Sequence, residues 1–216
     1  MAKFYPESKV EIQGLTAKYY DEIMNILSFG FYGKFISDAI SRLKIKGNDY
    51  ILDFGCGTGR NSLIMRSYLN EKGFILGLDV FEGMGKKFNE KCKNYNNVKF
   101  KNQRIDLPLA LEDKFDKVFI SFVLHGFPNE VRETIINNAY KNLKTGGTFW
   151  ILDFNEFSLK DMPFYYRLPF VTIECPYAFD FIERDWKSIL KKSEFNNFKE
   201  TFYIKSYVRL LEAQKI

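Results

Sequence analysis

The 216-residue sequence predicts an α/β protein built on a doubly wound, mostly parallel seven-stranded sheet with an amino-terminal helical cap. Three observations lead there. Short apolar runs of strand length alternate with longer amphipathic segments. The runs are nearly continuous in apolar character, which marks strands covered on both faces and therefore parallel pairing. The first run also passes directly into a glycine-rich turn and a helix, the opening of a unit whose crossover is right-handed.

The expected strands are Tyr50 to Phe54, Phe74 to Asp79, Val98 to Asn102, Phe115 to Phe122 and Thr148 to Phe154. Helices at Asn61 to Asn70, Met84 to Lys93 and Glu130 to Leu143 return the chain between them. Upstream, Thr16 to Phe29 and Phe35 to Leu43 read as two helices that cap one end of the sheet. Downstream, Asp185 to Lys192 reads as helix. Lys199 to Ile204 and Tyr207 to Ala213 alternate like two antiparallel strands joined at Lys205 and Ser206. The stretch from Phe154 to Phe181 holds nine aromatic residues and three of the six prolines, so it reads as a lid or pocket wall. The expected organisation is one domain: 1–45 cap, 46–155 ligand-binding core, 156–182 aromatic loop, and 183–216 last helix and hairpin.

Composition narrows the function. With 46% apolar and 27% charged residues and a net charge of +5, the chain is neither disordered nor a fibrous repeat. Its lysines are scattered (Lys86, Lys87, Lys91, Lys93, Lys99, Lys191, Lys192), so no nucleic-acid partner is expected. Cys56, Cys92 and Cys175 form no CxxC pair and His125 is the one histidine, which argues against a disulfide scaffold and a metal site. The amino terminus lacks a basic-then-apolar signal. No window reaches the roughly 18 uncharged apolar residues of a membrane span, so a cytoplasmic location is expected.

The chemistry concentrates at Ile51-Leu52-Asp53-Phe54-Gly55-Cys56-Gly57-Thr58-Gly59, a buried strand ending in an acid before a glycine turn and a helix. Glycine lets backbone turn sharply and approach a ligand, and free N–H groups at a helix start favour an anionic group. Asp79, ending the next strand, is placed for a carboxylate to accept both hydroxyls of a ribose. Dinucleotides and S-adenosylmethionine both fit. Asp53 separates them, since a carboxylate before the glycines repels a pyrophosphate and attracts an ammonium or sulfonium.

Leu52-Asp53-Phe54-Gly55-Cys56-Gly57-Thr58-Gly59 with Gly77-Leu78-Asp79 resembles the first two motifs of class I S-adenosylmethionine-dependent methyltransferases. The likeness continues through Phe115-Asp116-Lys117-Val118, Val123-Leu124-His125 and Leu143-Lys144-Thr145-Gly146-Gly147, covering roughly residues 45 to 155. Tyr20-Asp21-Glu22-Ile23-Met24-Asn25-Ile26-Leu27-Ser28 is similar to the amino-terminal motif of the ubiquinone/menaquinone biosynthesis methyltransferases. Here Ile23 and Met24 stand at its Met-Asn positions, Tyr32 at its histidine and Phe35 at its tryptophan. The tail after Phe154 departs from that family.

The resemblance implies S-adenosylmethionine as cofactor and S-adenosylhomocysteine as product. It places Gly55 and Gly57, with Asp53 and Cys56 beside them, at the methionyl part, Asp79 at the ribose, Val80 and Met84 at the adenine, and Tyr20 over the methionyl carboxylate. Leu107-Pro108 marks the segment that meets the adenine amino group; the family's spacing selects Gln103, while Asp106 offers the carboxylate and is the preferred of the two. Ser121 would face the sulfonium.

His125, following the fourth strand, is the candidate general base if the acceptor needs one. Asp153 and Glu156 share its rim. Phe157, Tyr165, Tyr166 and Tyr177 are candidate substrate contacts, because aromatic walls suit a flat or greasy acceptor. Cys56 reads as a small filler rather than a nucleophile. The expected activity is methylation of a small hydrophobic or aromatic acceptor by a monomer or homodimer. The alternatives are a non-catalytic adenosyl-ligand-binding accessory subunit that docks through the aromatic stretch, and an RNA or protein methyltransferase.

Overall fold

A computed structural model describes residues 4, 5, 7, 8, 31–111 and 114–216. Tyr20 and the expected helix from Thr16 to Phe29 lie outside the described residues. The described chain runs α1 (Phe31–Ser41), β1 (Tyr50–Phe54), α2 (Arg60–Arg66), β2 (Phe74–Asp79), α3 (Glu82–Cys92), β3 (Val98–Asn102), β4 (Phe115–Ser121), a short 3₁₀ turn (Leu124–Gly126), α4 (Asn129–Asn142), β5 (Leu143–Phe154), α5 (Phe164–Ile173), α6 (Pro176–Phe181), α7 (Trp186–Lys192), β6 (Phe195–Tyr203) and β7 (Val208–Lys215).

The seven strands form one sheet in the order β3-β2-β1-β4-β5-β7-β6. β1 to β5 pair in parallel, and β7 runs antiparallel between β5 and β6. The apolar runs are continuous because successive residues serve opposite faces. Leu52, Phe54, Val118, Ile120, Phe149 and Ile151 pack toward Ile135, Ile136 and Ala139 of α4 and Trp186 and Leu190 of α7. Ile51, Ile75, Phe119, Trp150 and Leu152 pack toward Ile36, Ile40 and Leu43 of α1 and Met65 and Phe88 of α2 and α3. Strand order reverses between β1 and β4, so the loops after their carboxyl ends diverge and open a crevice.

Three expectations change. β5 begins at Leu143 rather than Thr148: Phe115 pairs with Leu143 and Lys117 with Thr148, so Lys144 to Gly147 form a bulge inside the strand, with Gly146 at φ +81°. β6 begins at Phe195 rather than Lys199, interrupted by an irregularity between Asn196 and Lys199. The aromatic stretch is not irregular loop but carries α5 and α6, whose prolines Pro163 and Pro176 stand at the helix starts where a missing N–H costs nothing. Among the described residues no helix is long and apolar enough to cross a membrane.

Candidate functional site

The glycine turn leaves β1 through three left-handed glycines, Gly55 (φ +65°), Gly57 (φ +53°) and Gly59 (φ +80°), a conformation that costs an L side chain strain. Their surroundings differ. A Cβ on Gly55 would lie 2.7 Å from Val123 Cγ2, and one on Gly59 2.7 Å from the Phe88 ring, so these two are glycine for packing. A Cβ on Gly57 would meet nothing within 4 Å, so this backbone faces open space. Cys56 between them turns its sulfur inward, where a Cβ on Gly77 would touch it, and its N–H donates to the Leu78 carbonyl at 3.1 Å. Burial lifts its thiol well above the ordinary range, with Asp53 and Asp79 adding to the effect, so it is an inert filler.

Asp53 is buried beneath the turn, where the Ser62 hydroxyl of α2 donates to Oδ2 at 2.5 Å. Burial pushes its carboxyl up to about 7 against the pull of that hydrogen bond, and Asp79 adds repulsion. Asp79 Oδ2 accepts the Gly57 N–H at 2.9 Å and Oδ1 accepts the Phe81 N–H at 3.1 Å. Burial raises Asp79 as well, outweighing those backbone donors. The turn is therefore flanked by two acidic side chains, and the N–H of its open glycine, Gly57, is already taken by one of them.

Beside Asp79, the Gln103 N–H donates to the Asp79 carbonyl at 3.0 Å, and its side-chain amide reaches only the neighbouring Arg104 carbonyl at 3.5 Å. Val80 is held through its carbonyl by Asn102 at 3.1 Å, and Met84 is buried in the first turn of α3. Asp106 is engaged elsewhere. Arg104 donates to both its oxygens, at 3.1 Å from Nε and 2.5 Å from Nη2, and the Tyr5 hydroxyl donates to Oδ2 at 2.8 Å. Burial opposes ionisation of Asp106, but Arg104 and Tyr5 win and hold it below the usual range. The reverse effect pushes Tyr5 up to about 12, through burial and the adjoining carboxylate.

On the other side of the crevice β4 ends at Ser121, half-buried, and Phe122 follows in a left-handed conformation (φ +52°) with its N–H on the Leu152 carbonyl at 2.9 Å. That reversal aims Val123 at Gly55 and drops His125 into the interior. His125 Nδ1 lies 2.7 Å from Asp153 Oδ1 and Nε2 lies 3.4 Å from Glu174 Oε2. Asp153 is itself pinned by the N–H groups of Phe154 at 2.8 Å and His125 at 3.2 Å. Burial alone lowers an imidazole, but Asp153 and then Glu174 override it and raise His125 to about 10. The two carboxylates thus favour the imidazolium over a free base poised near neutrality.

Arg132, fully buried on α4, holds this turn in place. It donates to the carbonyls of Leu124 (3.3 Å), His125 (3.2 Å) and Tyr177 (2.5 Å) and to Asp180 Oδ2 (2.6 Å). Glu156 is structural: it accepts from Arg209 at 2.9 Å and from the Trp186 N–H at 3.0 Å.

Three of the four aromatic candidates, Phe157, Tyr166 and Tyr165, form one run of ring contacts through Tyr207. Phe157 packs edge-on to Phe170 and Tyr207, and Tyr166 leans on Tyr207 with Lys205 over its ring. Tyr165 is more than half exposed, and Tyr177 offers its carbonyl to Arg132 on α6. Among the described residues the rings in contact with His125 are Phe154 (4.9 Å) and Phe181 (6.3 Å), with Phe170 5.0 Å beyond Phe154. α5 itself is exposed along Phe164, Tyr165, Leu168, Val171 and Ile173. Sequence reasoning missed Ser62, Arg132 and Glu174. Ser62, nine residues after Asp53 on the first turn of α2, was the one within local reach.

Comparison with known proteins agrees with this arrangement. Residues 45–201 match the family described as "Methyltransferase domain". The demethylmenaquinone methyltransferase of Lactobacillus johnsonii is 26% identical over 149 residues, which is 64% of this chain and 57% of that protein. That of Staphylococcus carnosus is 30% identical over 129 residues, 59% of this chain and 52% of that protein. The chain thus spans little more than half the length of these relatives. The magnesium protoporphyrin IX methyltransferase of Synechocystis PCC 6803, solved with bound SAH, shares the fold with a TM-score of 0.64 at 20% identity, over 86% of this chain and 84% of that one. With its strand order, its glycine turn and nearly three-quarters of its length matched to one family, this chain belongs to the methyltransferase-domain family.

Proposed function

We propose that this chain transfers a methyl group from S-adenosylmethionine to a small, flat, hydrophobic acceptor of quinol or phenol type. The observation that carries the cofactor is the acidic residue Asp79 hydrogen-bonded to an open glycine backbone, with Asp53 beneath it. Asp79 places a carboxylate against the turn with Asp53 buried beneath it, and Asp79 already occupies the Gly57 N–H that a pyrophosphate would need. A cation is favoured there by Coulomb attraction, and a pyrophosphate is opposed. The open face of Gly57 lets the methionyl part approach, Asp79 would hold the ribose hydroxyls, and Val80 and Met84 would flank the adenine. With Asp106 committed to Arg104 and Tyr5, Gln103 is the better donor and acceptor for the adenine edge.

The cofactor supplies an activated methyl on a sulfonium. The protein's task is to hold the acceptor in line about 3 to 3.5 Å from that carbon and to exclude water. Phe154 supplies an apolar wall beside His125 with Phe122 and Phe170 packed against it, and Ser121, at the end of β4, would face the sulfonium. The similarity to demethylmenaquinone methyltransferases supports an aromatic acceptor.

Calorimetric titration with S-adenosylmethionine, S-adenosylhomocysteine and NAD tests the cofactor. Micromolar binding of the adenosyl ligands without NAD is expected, and the reverse preference overturns the reading. The exposed apolar face of α5 favours one second reading, an accessory subunit that binds the adenosyl ligand and docks through this helix. It predicts binding without turnover and a stable hetero-oligomer.

A further inference from the structure

A bulky residue seldom takes up a left-handed backbone, and Phe122 does so at φ +52°. Six other non-glycine residues among the described ones have a positive φ, Lys44, Glu194, Asn197, Ile204, Lys205 and Ser206, and all six are exposed. Phe122 is half-buried, at the carboxyl end of β4 where the crevice opens. The turn decides where its ring goes. Side chains of β4 alternate, with Val118 and Ile120 packed toward α4 and α7 and Phe119 toward α1 and α2. A residue continuing the strand at 122 would follow Ile120 onto the first face. The left-handed turn sends the Phe122 ring to the second face, against the α1 cluster, and leaves Val123 on the first. Pairing with β5 survives the reversal, since the Phe122 N–H still donates to the Leu152 carbonyl at 2.9 Å. The ring stands 6.2 Å from Phe35 of α1 and 6.2 Å from Phe154 at the end of β5, whose own ring lies 4.9 Å from His125. Phe122 thus joins a helix outside the sheet to the wall of the candidate acceptor site. Glycine or asparagine would make the same reversal with less strain, so the backbone alone does not account for an aromatic residue here.

We propose that Phe122 determines the size of the methyl acceptor: its ring is the stop on the α1 side of the acceptor site, and the strained turn is what directs it there. The inference rests on the proposed placing of the acceptor beside His125 and Phe154, and adds the boundary which that reading leaves open. A strained backbone persists where its surroundings over-determine it, and such residues gather at ligand sites. Here the bond to Leu152 fixes the turn from behind, while Phe35 and Phe154 hold the ring from either side. A flat acceptor lying against Phe154 is bounded by Phe122, and one with a further fused ring meets it. The same turn aims Val123 at Gly55, so a backbone movement that withdrew the ring would also disturb the glycine turn. The boundary is therefore tied to the geometry that shapes the cofactor side of the crevice.

The test uses the full chain saturated with S-adenosylhomocysteine and two phenols of different extent, 2-naphthol and 9-phenanthrol, titrated by calorimetry into wild type, Phe122→Ala and Phe122→Gly. Both variants remove the ring, and only glycine also relieves the backbone. The ratio of the two dissociation constants, phenanthrol over naphthol, should fall about tenfold or more in both variants, because the larger acceptor gains room that the smaller does not need. Melting temperatures separate strain from packing. Phe122→Gly should melt above Phe122→Ala, the reverse of the order at an ordinary position, where alanine is the more stabilising residue. A smaller fall in the ratio, a lower melting temperature for Phe122→Gly than for Phe122→Ala, failure of both variants to fold, or binding of neither phenol to any of the three proteins overturns the proposal. Loss of S-adenosylhomocysteine binding in both variants assigns the ring to the cofactor and overturns it as well. Failure of wild type to bind S-adenosylhomocysteine overturns the cofactor reading beneath it.

Discussion

Replacing Gly57 and Gly55 separately by alanine should split two properties that a glycine turn usually confounds. Both positions are left-handed, and placing an L residue there costs about 1–2 kcal/mol. For Gly57→Ala that is the whole cost, because the new methyl meets nothing within 4 Å. At this chain length each kcal/mol moves Tm by about 2–4 °C, so a fall of roughly 2–8 °C is expected. The methyl would nonetheless stand where the methionyl part approaches, so S-adenosylhomocysteine should bind at least tenfold more weakly. Gly55→Ala meets Val123 at 2.7 and 3.0 Å, and relieving that overlap adds about 1–3 kcal/mol. It should be the less stable of the two. Thermal unfolding and calorimetric titration of both variants decide the matter. Wild-type affinity in Gly57→Ala refutes the open cradle, and a Gly55→Ala variant no less stable than Gly57→Ala refutes the packing argument.

Asp79→Asn keeps the shape of the side chain and removes its charge, so calorimetry should show S-adenosylhomocysteine binding weakened by about 1.5–3 kcal/mol, the range for a charged hydrogen-bonding group. Asp53 gives a pH signature. Its carboxyl is held at about 7 against an ordinary 3.8, so between those values the folded state binds more protons than the unfolded one and wild-type stability falls as pH rises. Relative to Asp53→Asn the wild type should therefore lose on the order of 4 kcal/mol from pH 4 to pH 7.5, read by urea unfolding; parallel curves would exclude a buried carboxyl. Arg132→Met should cost about 3–5 kcal/mol in the same assay, since it strands three carbonyls and half of the Asp180 pairing.

The central strands and the glycine turn were legible because each rests on a local pattern. β1 and β2 fall where nearly continuous apolar runs put them, β3 falls at its expected bounds as an alternating edge strand, and Asp53, Gly57 and Asp79 follow from the ends of the first two. What was hidden depends on distant partners. Asp106 offers a free carboxylate in the sequence, but Tyr5, 101 residues away, and Arg104 claim it. His125 reads as a base until β5, lying beside β4, brings Asp153 to it and the α5–α6 junction brings Glu174. The aromatic stretch read as loop because prolines punctuate it. Two of them open helices, and Pro169 lies inside α5 near the solvent face, where a missing hydrogen bond is least costly. Lys144 to Gly147 carry the look of a turn and are a bulge, a distinction made by pairing with β4 and invisible in the residues alone.

The antiparallel strand β7 sets the order in which this molecule can be assembled during synthesis. Residues 208–215 separate β5 from β6, so β6 cannot join the sheet until that segment has emerged. A nascent chain ending before Val208 already holds β1 to β5 but leaves the β5 edge unpaired beside Phe149, Trp150 and Ile151, which β7 and its Leu210, Leu211 and Ala213 later cover. Unpaired edges with apolar flanks recruit other chains, and pairings that span long stretches of sequence form slowly. A ribosome stalled before residues 208–215 have emerged would therefore present an aggregation-prone intermediate that already holds the strands around the glycine turn, a state on which a ligand bound at that turn could act as a folding aid.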